Sequence, residues 1–159
     1  MNTETHSSLS EQTLKKFRII FGSVRQHLRE IEKTCGITGS QLWIIHEISK
    51  APGIGISGLA QTLSIHQSTC SLLVDKLVQR QLVRKDRGQE DQRRVGLHIL
   101  PEAEHILKIA PGPAEGILPE AIRALPVDEL EKLDNALEKV IRQLQLSNPQ
   151  LAEKPLSEL

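Results

Sequence analysis

The sequence predicts a mainly helical fold with one small β-hairpin, and three observations support that prediction. Residues 57–100 read as a helix, a tight turn, a second helix and two short strands joined by a charged loop. On both sides, apolar residues recur at three- to four-residue spacing, which is typical of amphipathic helices. Aromatic residues make up 2% of the chain, so the core must be aliphatic. This order of elements is that of a winged helix-turn-helix, here expected to carry a helical dimerisation stem.

The first long helix is expected from Ser10 to about Lys33, after a mobile tail formed by residues 1–9. Its apolar stripe consists of Leu14, Phe17, Ile20, Phe21, Val24, Leu28 and Ile31. A helix of this length needs a larger partner surface than one chain supplies, and pairing across a dimer would provide it. Residues 10–35 are therefore assigned, with residues 101–146, to a helical dimerisation region.

Residues 37–100 are assigned to the winged helix-turn-helix domain. Thr38 and Gln41 have the spacing of a capping box, which predicts the start of the second helix. A Pro-Gly turn at residues 52–55 ends that helix. Ile56 is expected to form a very short strand beside the wing hairpin, and Ser57 is expected to cap the next helix.

The second helix of the helix-turn-helix is expected from about Gln67 to Arg80, after the turn Ser64-Ile65-His66. At 100° per residue, its core face consists of Cys70, Leu73, Val74 and Leu77. Small polar residues at the N-terminal end of the opposite face suit contact with base edges. The candidate base-reading residues are Gln67, Ser68, Thr69, Ser71 and Leu72.

The two strands of the wing are expected at residues 82–85 and 95–99, with a highly charged loop between them. Asp91 and Arg93 can pair at the base of this loop, which would fix the direction of the guanidinium group. A guanidinium held in this way suits the negative potential of a narrow minor groove, with Arg94 or Arg87 beside it. The candidate phosphate contacts are Lys76, Arg80 and Arg84.

After the wing, a helix is expected from Pro101, with two acidic residues in its first turn. Pro111-Gly112-Pro113 should interrupt it, leaving a short piece that ends near Ala124. A final helix is expected from about Pro126. Its apolar seam, formed by Leu130, Leu133, Leu137, Val140 and Leu144, is typical of helix pairing. Residues 147–159 are expected to form a loose tail, in which Leu151, Leu156 and Leu159 could dock on a partner.

Three motifs make the pattern specific. They are Leu73-Val74-Asp75-Lys76-Leu77 in the second helix, Leu82-Val83-Arg84 after it, and Asp91-x-Arg93-x-x-x-Leu97-x-Ile99 in the wing. Through these motifs, residues 10–146 resemble the MarR family of bacterial transcriptional regulators. The resemblance implies a homodimer that binds double-stranded DNA, and in many members a repressor that is released by a small phenolic or other ligand.

Three residues depart from the family's usual pattern. Gln81 stands where Gly is usual, at a helix end that favours left-handed backbone, so we expect a weaker cap. Leu72 stands where Arg is common, and it replaces a polar contact by a side chain that suits thymine methyl groups. Leu100 stands where Thr is usual after the second strand.

Charge and composition narrow the classes of function. The net charge is zero, but residues 64–100 carry seven basic and four acidic side chains, whereas residues 101–159 carry six and eleven. The basic part coincides with the helix and wing expected to meet phosphates. No glycine-rich phosphate loop, metalloprotease motif or nucleophile elbow occurs, so we expect no enzymatic activity. No signal peptide or membrane-spanning run is evident, so we expect a cytoplasmic protein without a membrane partner.

Cys35, His46, Glu47 and His105 are expected to converge where the first, second and fifth helices meet. The resemblance implies a ligand cleft at that junction, and we expect a small organic effector there. Bound zinc and the absence of any effector are the alternatives, but the spacing matches no zinc motif, so we predict no metal and no cofactor. Cys70 is interpreted as a small buried hydrophobe, with a redox switch as the alternative.

The sequence therefore predicts a homodimeric transcriptional regulator, expected to act as a ligand-responsive repressor on a pseudo-palindromic operator. The alternative is a winged-helix adaptor that binds proteins and no longer binds DNA. The zero net charge and the Leu at position 72 favour that alternative slightly.

Overall fold

The structure is a computed structural model that describes residues 3–88, 94–145 and 147–159. Within these residues the chain forms seven α-helices, one antiparallel hairpin and two short 3₁₀ turns. The helices and strands are α1 (Thr3–Cys35), α2 (Gly39–Lys50), α3 (Ile56–Leu63), α4 (Gln67–Gln79), β1 (Val83–Arg87), β2 (Val95–Ile99), α5 (Pro101–Ile109), α6 (Ile117–Arg123) and α7 (Val127–Gln143). None of the described helices combines the length and apolar character needed to cross a bilayer.

The hydrophobic core lies in the part of the chain from α2 to α5. Its largest fully buried side chains are aliphatic, as expected: Ile31, Leu42, Ile44, Ile45, Ile48, Leu59, Leu77 and Leu97. The long helix α1 contributes only its C-terminal end, where His27, Ile31 and Cys35 are buried. The winged-helix half therefore has its own core, whereas most of α1 lies outside it.

The start of α2 confirms the predicted capping box. The Thr38 hydroxyl oxygen accepts from the Gln41 amide at 3.3 Å, and the Gln41 side chain accepts from the Thr38 amide at 3.0 Å. Two of the backbone donors left unpaired at a helix start are thus satisfied.

The hairpin pairs β1 with β2 in antiparallel register, with Val83 opposite Ile99 and Lys85 opposite Leu97. A third segment joins it through Ile54, whose carbonyl accepts from the Leu97 amide at 2.9 Å. The prediction that Ile56 forms this short strand is wrong, because Ile56 is the first residue of α3. The predicted Ser57 cap is also wrong, since Gly55 holds the N-cap position without a side-chain bond.

The helical break after the wing is confirmed. Helix α5 ends at Ile109, just before Pro111-Gly112-Pro113, and the chain becomes helical again only at Ile117. Two prolines remove two backbone donors within three residues, so the α-helical bonding cannot continue through them. Helix α7 then runs for 17 residues without burying any side chain.

Both predicted tails are wrong in the described residues. Helix α1 begins at Thr3 rather than Ser10, with Glu4 in its first turn, where a carboxylate is favourable. At the other end, residues 148–159, here called the strap, form the 3₁₀ turns Pro149–Glu153 and Leu156–Glu158 and pack on the chain's own α2. The cause is hydrogen bonding over more than 110 residues of sequence, which composition does not reveal.

Candidate nucleic-acid interface

Helix α4 lies where the helix-turn-helix pattern predicts it, and its end differs from the prediction by one residue. The turn before it contains Ser64 in the left-handed conformation, with φ of 53°. His66 is the N-cap: its Nδ1 accepts from the Ser68 amide at 3.2 Å and lies 2.7 Å from the Ser68 hydroxyl. An imidazole therefore organises the helix end at which base contacts are expected.

The two faces of α4 are those predicted. Cys70, Leu73, Val74 and Leu77 are buried in the core. Leu72 is 65% exposed and lies on the opposite face. Of the other candidate base-reading residues, Gln67 and Ser68 are exposed, and Thr69 and Ser71 are half-buried. The helix thus presents a polar, accessible surface with one large apolar side chain in its middle.

An ion pair between α4 and β1 was not predicted from the sequence. The Lys85 ammonium lies 2.5 Å from an Asp75 carboxylate oxygen, and both side chains are partly exposed. The pair ties the hairpin to the exposed face of α4. It also compensates the one acidic side chain on that face, which would otherwise repel phosphates.

At the C-terminal end of α4, Arg80 makes a contact that was not predicted. Arg80, predicted as a phosphate contact, donates through Nη1 to the Gly36 carbonyl at 2.7 Å and so braces the end of α1. Gln81 follows in the left-handed region with φ of 57°, as predicted for a position where Gly is usual. Lys76 is exposed near the same end and faces outward.

At the base of the wing, Asp86 lies between two partners. Its carboxylate is 3.2 Å from Arg84 Nη2 and 3.5 Å from His98 Nε2. Arg87, the last residue of β1, and Arg94, just before β2, are exposed, and the Gly88 amide donates to the Arg94 carbonyl at 3.0 Å. The predicted Asp91–Arg93 pair lies outside the described residues.

The four residues expected to form an effector cleft do not share the cavity near that junction. Cys35 is buried at the end of α1, and Glu47 is buried with an oxygen 3.2 Å from the Lys50 ammonium. His46 is half-buried and His105 is exposed on α5. In the described part of the chain, no group of three or more His, Cys, Asp or Glu side chains is placed to hold a metal ion.

A different cavity, here called the α1–α2 cavity, lies between α1, α2, residues 114–119 and the strap. Its volume is about 60 Å³. Two of its lining side chains carry buried ring nitrogens, His27 Nε2 and Trp43 Nε1, for which the described residues supply no hydrogen-bond partner. Its outer wall is made by Pro155, Leu156 and Ser157. Sequence analysis missed His27, although it lies beside Leu28 between Val24 and Ile31 in the apolar stripe of α1.

Both cysteines are free and buried. Burial raises the pKa of the Cys70 thiol to about 11 and raises the pKa of the Cys35 thiol above its ordinary value. Since the thiolate is the reactive form, the interpretation of Cys70 as a buried hydrophobe agrees with its surroundings.

Residues 37–95 match the family model described as the MarR family. The matched residues run from just before α2 to the first residue of β2, and so include all of α4. Members of this family are DNA-binding transcriptional regulators and not enzymes.

Two relatives are similar to parts of this chain. The chain is 22% identical over 85 residues to the HTH-type transcriptional repressor MdtR of Bacillus subtilis (strain 168), covering 54% of this chain and 55% of MdtR. It is 31% identical over 77 residues to a regulatory protein assigned to the hcr operon in Thauera aromatica, covering 48% of this chain and 46% of that protein. The chain thus spans about half the length of these two relatives.

A solved structure supports the fold. A cysteine-to-serine mutant of MarR from E. coli, crystallised with operator DNA, superposes with a TM-score of 0.53 at 20% identity. The superposition covers 81% of this chain and 95% of that one. At this identity the likeness shows the fold alone, and it confirms the predicted winged helix-turn-helix.

Proposed function

We propose that this protein is a transcriptional regulator of the MarR family that binds double-stranded DNA as a homodimer on a pseudo-palindromic operator. The observation that carries the proposal is the arrangement of α4. Its polar face is exposed, its N-terminus is organised by His66, and the hairpin beside it is held by the Lys85–Asp75 pair. That arrangement suits insertion of a helix into a major groove, with the hairpin against the adjoining backbone.

The structure favours particular roles for the side chains. Ser68, Thr69, Ser71 and Leu72 project from the N-terminal half of α4 and suit contact with base edges. The exposed cations suit contact with phosphates, namely Lys76, Arg84, Arg87 and Arg94. Arg80 acts mainly as a brace, because its guanidinium already donates to Gly36.

Salt-dependent binding to duplex DNA tests the proposal. Fragments selected from a genomic DNA pool supply the specific site, and a scrambled duplex of equal length is the control. A regulator should lose affinity for both duplexes as the salt concentration rises, while its preference for the selected site persists. Equal weak binding to both duplexes at every salt concentration would favour the adaptor alternative.

The dimer part of the proposal rests on unpaired apolar faces. On α1, Ile19 and Phe21 are 66% and 63% exposed. On α7, Val140, Ile141 and Leu144 are all exposed in one chain. Isolated exposed apolar residues are ordinary, but two long helices that both expose an apolar stripe favour association with a second copy.

Replacing Leu137 of the α7 seam with Asp tests the dimer. A buried, unpaired carboxylate in an apolar seam should cost several kcal/mol and shift the protein to monomer. Asn135→Asp is the matched control, because it adds the same charge to the exposed side of α7. Sedimentation equilibrium that shows an unchanged dimer in Leu137→Asp would contradict a dimer formed through this seam.

We also propose that a small organic effector binds in the α1–α2 cavity rather than at the predicted cleft. The Trp43 indole N–H is a donor only, and a ligand carboxylate or carbonyl oxygen would satisfy it together with His27. Trp43 is the only tryptophan of the chain, so its fluorescence reports binding directly. A library of small carboxylic acids and amides should shift its emission, whereas His27→Phe should weaken that response. Responses unaltered by His27→Phe would place binding elsewhere.

A further inference from the structure

The strap is anchored at the start of α2. The Ser40 amide donates to the Ser157 hydroxyl oxygen at 3.0 Å, and the Ser40 hydroxyl donates to a Glu158 carboxylate oxygen at 3.0 Å. Pro155 between the two turns is buried. The strap is therefore fixed to the part of α2 that also adjoins α1, through two hydrogen bonds and one apolar contact.

The other end of the strap contacts the start of α4. The His66 amide donates to the Glu153 carbonyl at 3.1 Å, and His66 is the residue that caps α4. The strap and the start of α4 line the same groove. His66 and Thr69 form one side of it, and the strap side consists of Pro149, Gln150, Glu153 and Lys154. The residue that organises the start of α4 is thus itself held by the strap.

The strap also forms one wall of the α1–α2 cavity. The opposite walls belong to α1 and α2, whose core residues Ile31, Leu42 and Ile45 are fully buried. A cavity of about 60 Å³ holds only a few water molecules. The strap that forms this wall is mostly exposed, and Pro155 is its one buried residue.

We propose that the strap is a positioning element for DNA recognition. When docked, it holds His66 and the start of α4 in the DNA-binding arrangement. When it is displaced from its seat on α2, that helix start loosens and DNA affinity falls. This inference rests on the DNA-binding function proposed above, and it assigns a role in DNA recognition to residues that lie outside the matched region 37–95.

The experiment uses the full chain with two changes in the strap, Ser157→Ala and Glu158→Ala, which remove both partners of Ser40. Glu158→Gln is the matched control, because it removes the same charge but keeps an acceptor oxygen. Hydrogen exchange is followed at the His66 and Ser68 amides, and affinity for the selected duplex is measured in parallel. We expect exchange at His66 to accelerate at least tenfold and DNA affinity to fall roughly fivefold, the loss that corresponds to one helix cap. Glu158→Gln should resemble the parent.

A disulfide lock provides the opposite perturbation. A Cβ at Gly39 would lie 3.7 Å from the Ser157 Cβ, within the range of disulfides, and the Leu28 methyl that it meets is the end of a flexible side chain. With Gly39→Cys and Ser157→Cys, oxidation should keep exchange and affinity at the parent's values, whereas reduction should lower affinity. Parent protein treated with the same oxidant is the control.

These measurements distinguish a failure of the strap proposal from a failure of the proposed DNA-binding function. Unchanged hydrogen exchange at His66 in the double variant overturns the strap proposal. Tighter DNA binding by the double variant, or weaker DNA binding by the oxidised disulfide variant, also overturns it. Each of these two binding results would mean that the strap inhibits DNA binding. A parent protein that binds no duplex refutes the regulator proposal itself. The exchange measurement needs no DNA and still decides whether the strap holds the start of α4.

Discussion

The side chain of Leu72 offers the sharpest test of how α4 reads DNA. It is 65% exposed in the free protein and lies in the middle of the polar face of α4. The apolar feature that a major groove offers to such a side chain is the thymine C5 methyl group. We therefore expect a thymine under Leu72 in each operator half-site, and we expect it to matter through its methyl group alone.

The size of the effect follows from the area involved. Burying one methyl group against an apolar side chain is worth about 0.8–1 kcal/mol. Exchange of that thymine for uracil removes the methyl and leaves every hydrogen-bonding group in place. Binding should weaken by about 1 kcal/mol per half-site, so substitution in both half-sites of a dimer's operator should raise the Kd roughly thirtyfold.

Fluorescence anisotropy with thymine and uracil duplexes measures the loss of DNA affinity caused by uracil, both for the parent and for Leu72→Ala. The difference between thymine and uracil should disappear in Leu72→Ala, because the partner of the methyl is gone. Ser68→Ala is the matched control: it changes the same face, and the uracil penalty should persist. If the parent and Leu72→Ala respond equally to uracil, Leu72 does not contact the methyl and the assigned orientation of α4 is wrong.

Three further predictions concern the surroundings of α4. Lys85→Ala should change the free energy of unfolding by less than about 1 kcal/mol, because the Lys85–Asp75 pair is partly exposed. It should nevertheless weaken DNA binding, because the Asp75 carboxylate is left uncompensated. An unaltered Kd for DNA near 0.1 M salt would contradict this expectation. Gln81→Gly should stabilise the protein in urea unfolding by about 0.5–1 kcal/mol, since φ is 57° there, and destabilisation would refute that reason. Stability should fall between pH 9.0 and 11, by at most about 1.4 kcal/mol per pH unit, because the unfolded Cys70 thiol loses its proton near 9.0 and the folded one near 11. Cys70→Ala should show a shallower fall than the parent, and an equal fall would assign the effect to other groups.

Local features of α4 were predictable because they depend on neighbours in the sequence. The 100° rotation per residue separates buried Cys70 from exposed Leu72 without any knowledge of the partner surface. The same holds for the proline break after α5, which rests on backbone geometry within about four residues. The left-handed residue at Gln81 was expected instead from the resemblance, because the family usually has Gly there.

Contacts between helices and strands could not be predicted in the same way. For one of them, the Lys85–Asp75 pair, the sequence did contain an indication. The alternation of β1 places Lys85 on the same side as buried Val83, which faces α4. A cation at that position needs an acid, and Asp75 is the acidic residue of α4. Arg80 left no such signal, because its partner is the backbone carbonyl of Gly36, which any residue would supply.

The α1–α2 cavity is lined by none of the four residues that were predicted to form an effector cleft. That prediction selected side chains with familiar ligand chemistry near one junction of helices. His27 occupies a buried position within the apolar stripe of α1, where a polar ring needs a partner. The strap wall opposite it depends on contacts between residues 40 and 157, which no local pattern encodes.

The number of cations near the expected DNA-binding surface limits how steeply DNA affinity can depend on salt concentration. Residues 64–100 carry seven cations. Lys85 is paired with Asp75 and Arg84 with Asp86, whereas Arg80 donates to the uncharged Gly36 carbonyl and keeps its charge. Even if all seven cations of each chain of a dimer reached phosphates, at about 0.9 ions released per phosphate, the slope of log K against log salt should be no steeper than about −13. In α7, Lys132 pairs with Glu129 and Arg142 with Glu138, both within the helix. A measured slope steeper than this limit would mean that cations outside residues 64–100 reach the DNA.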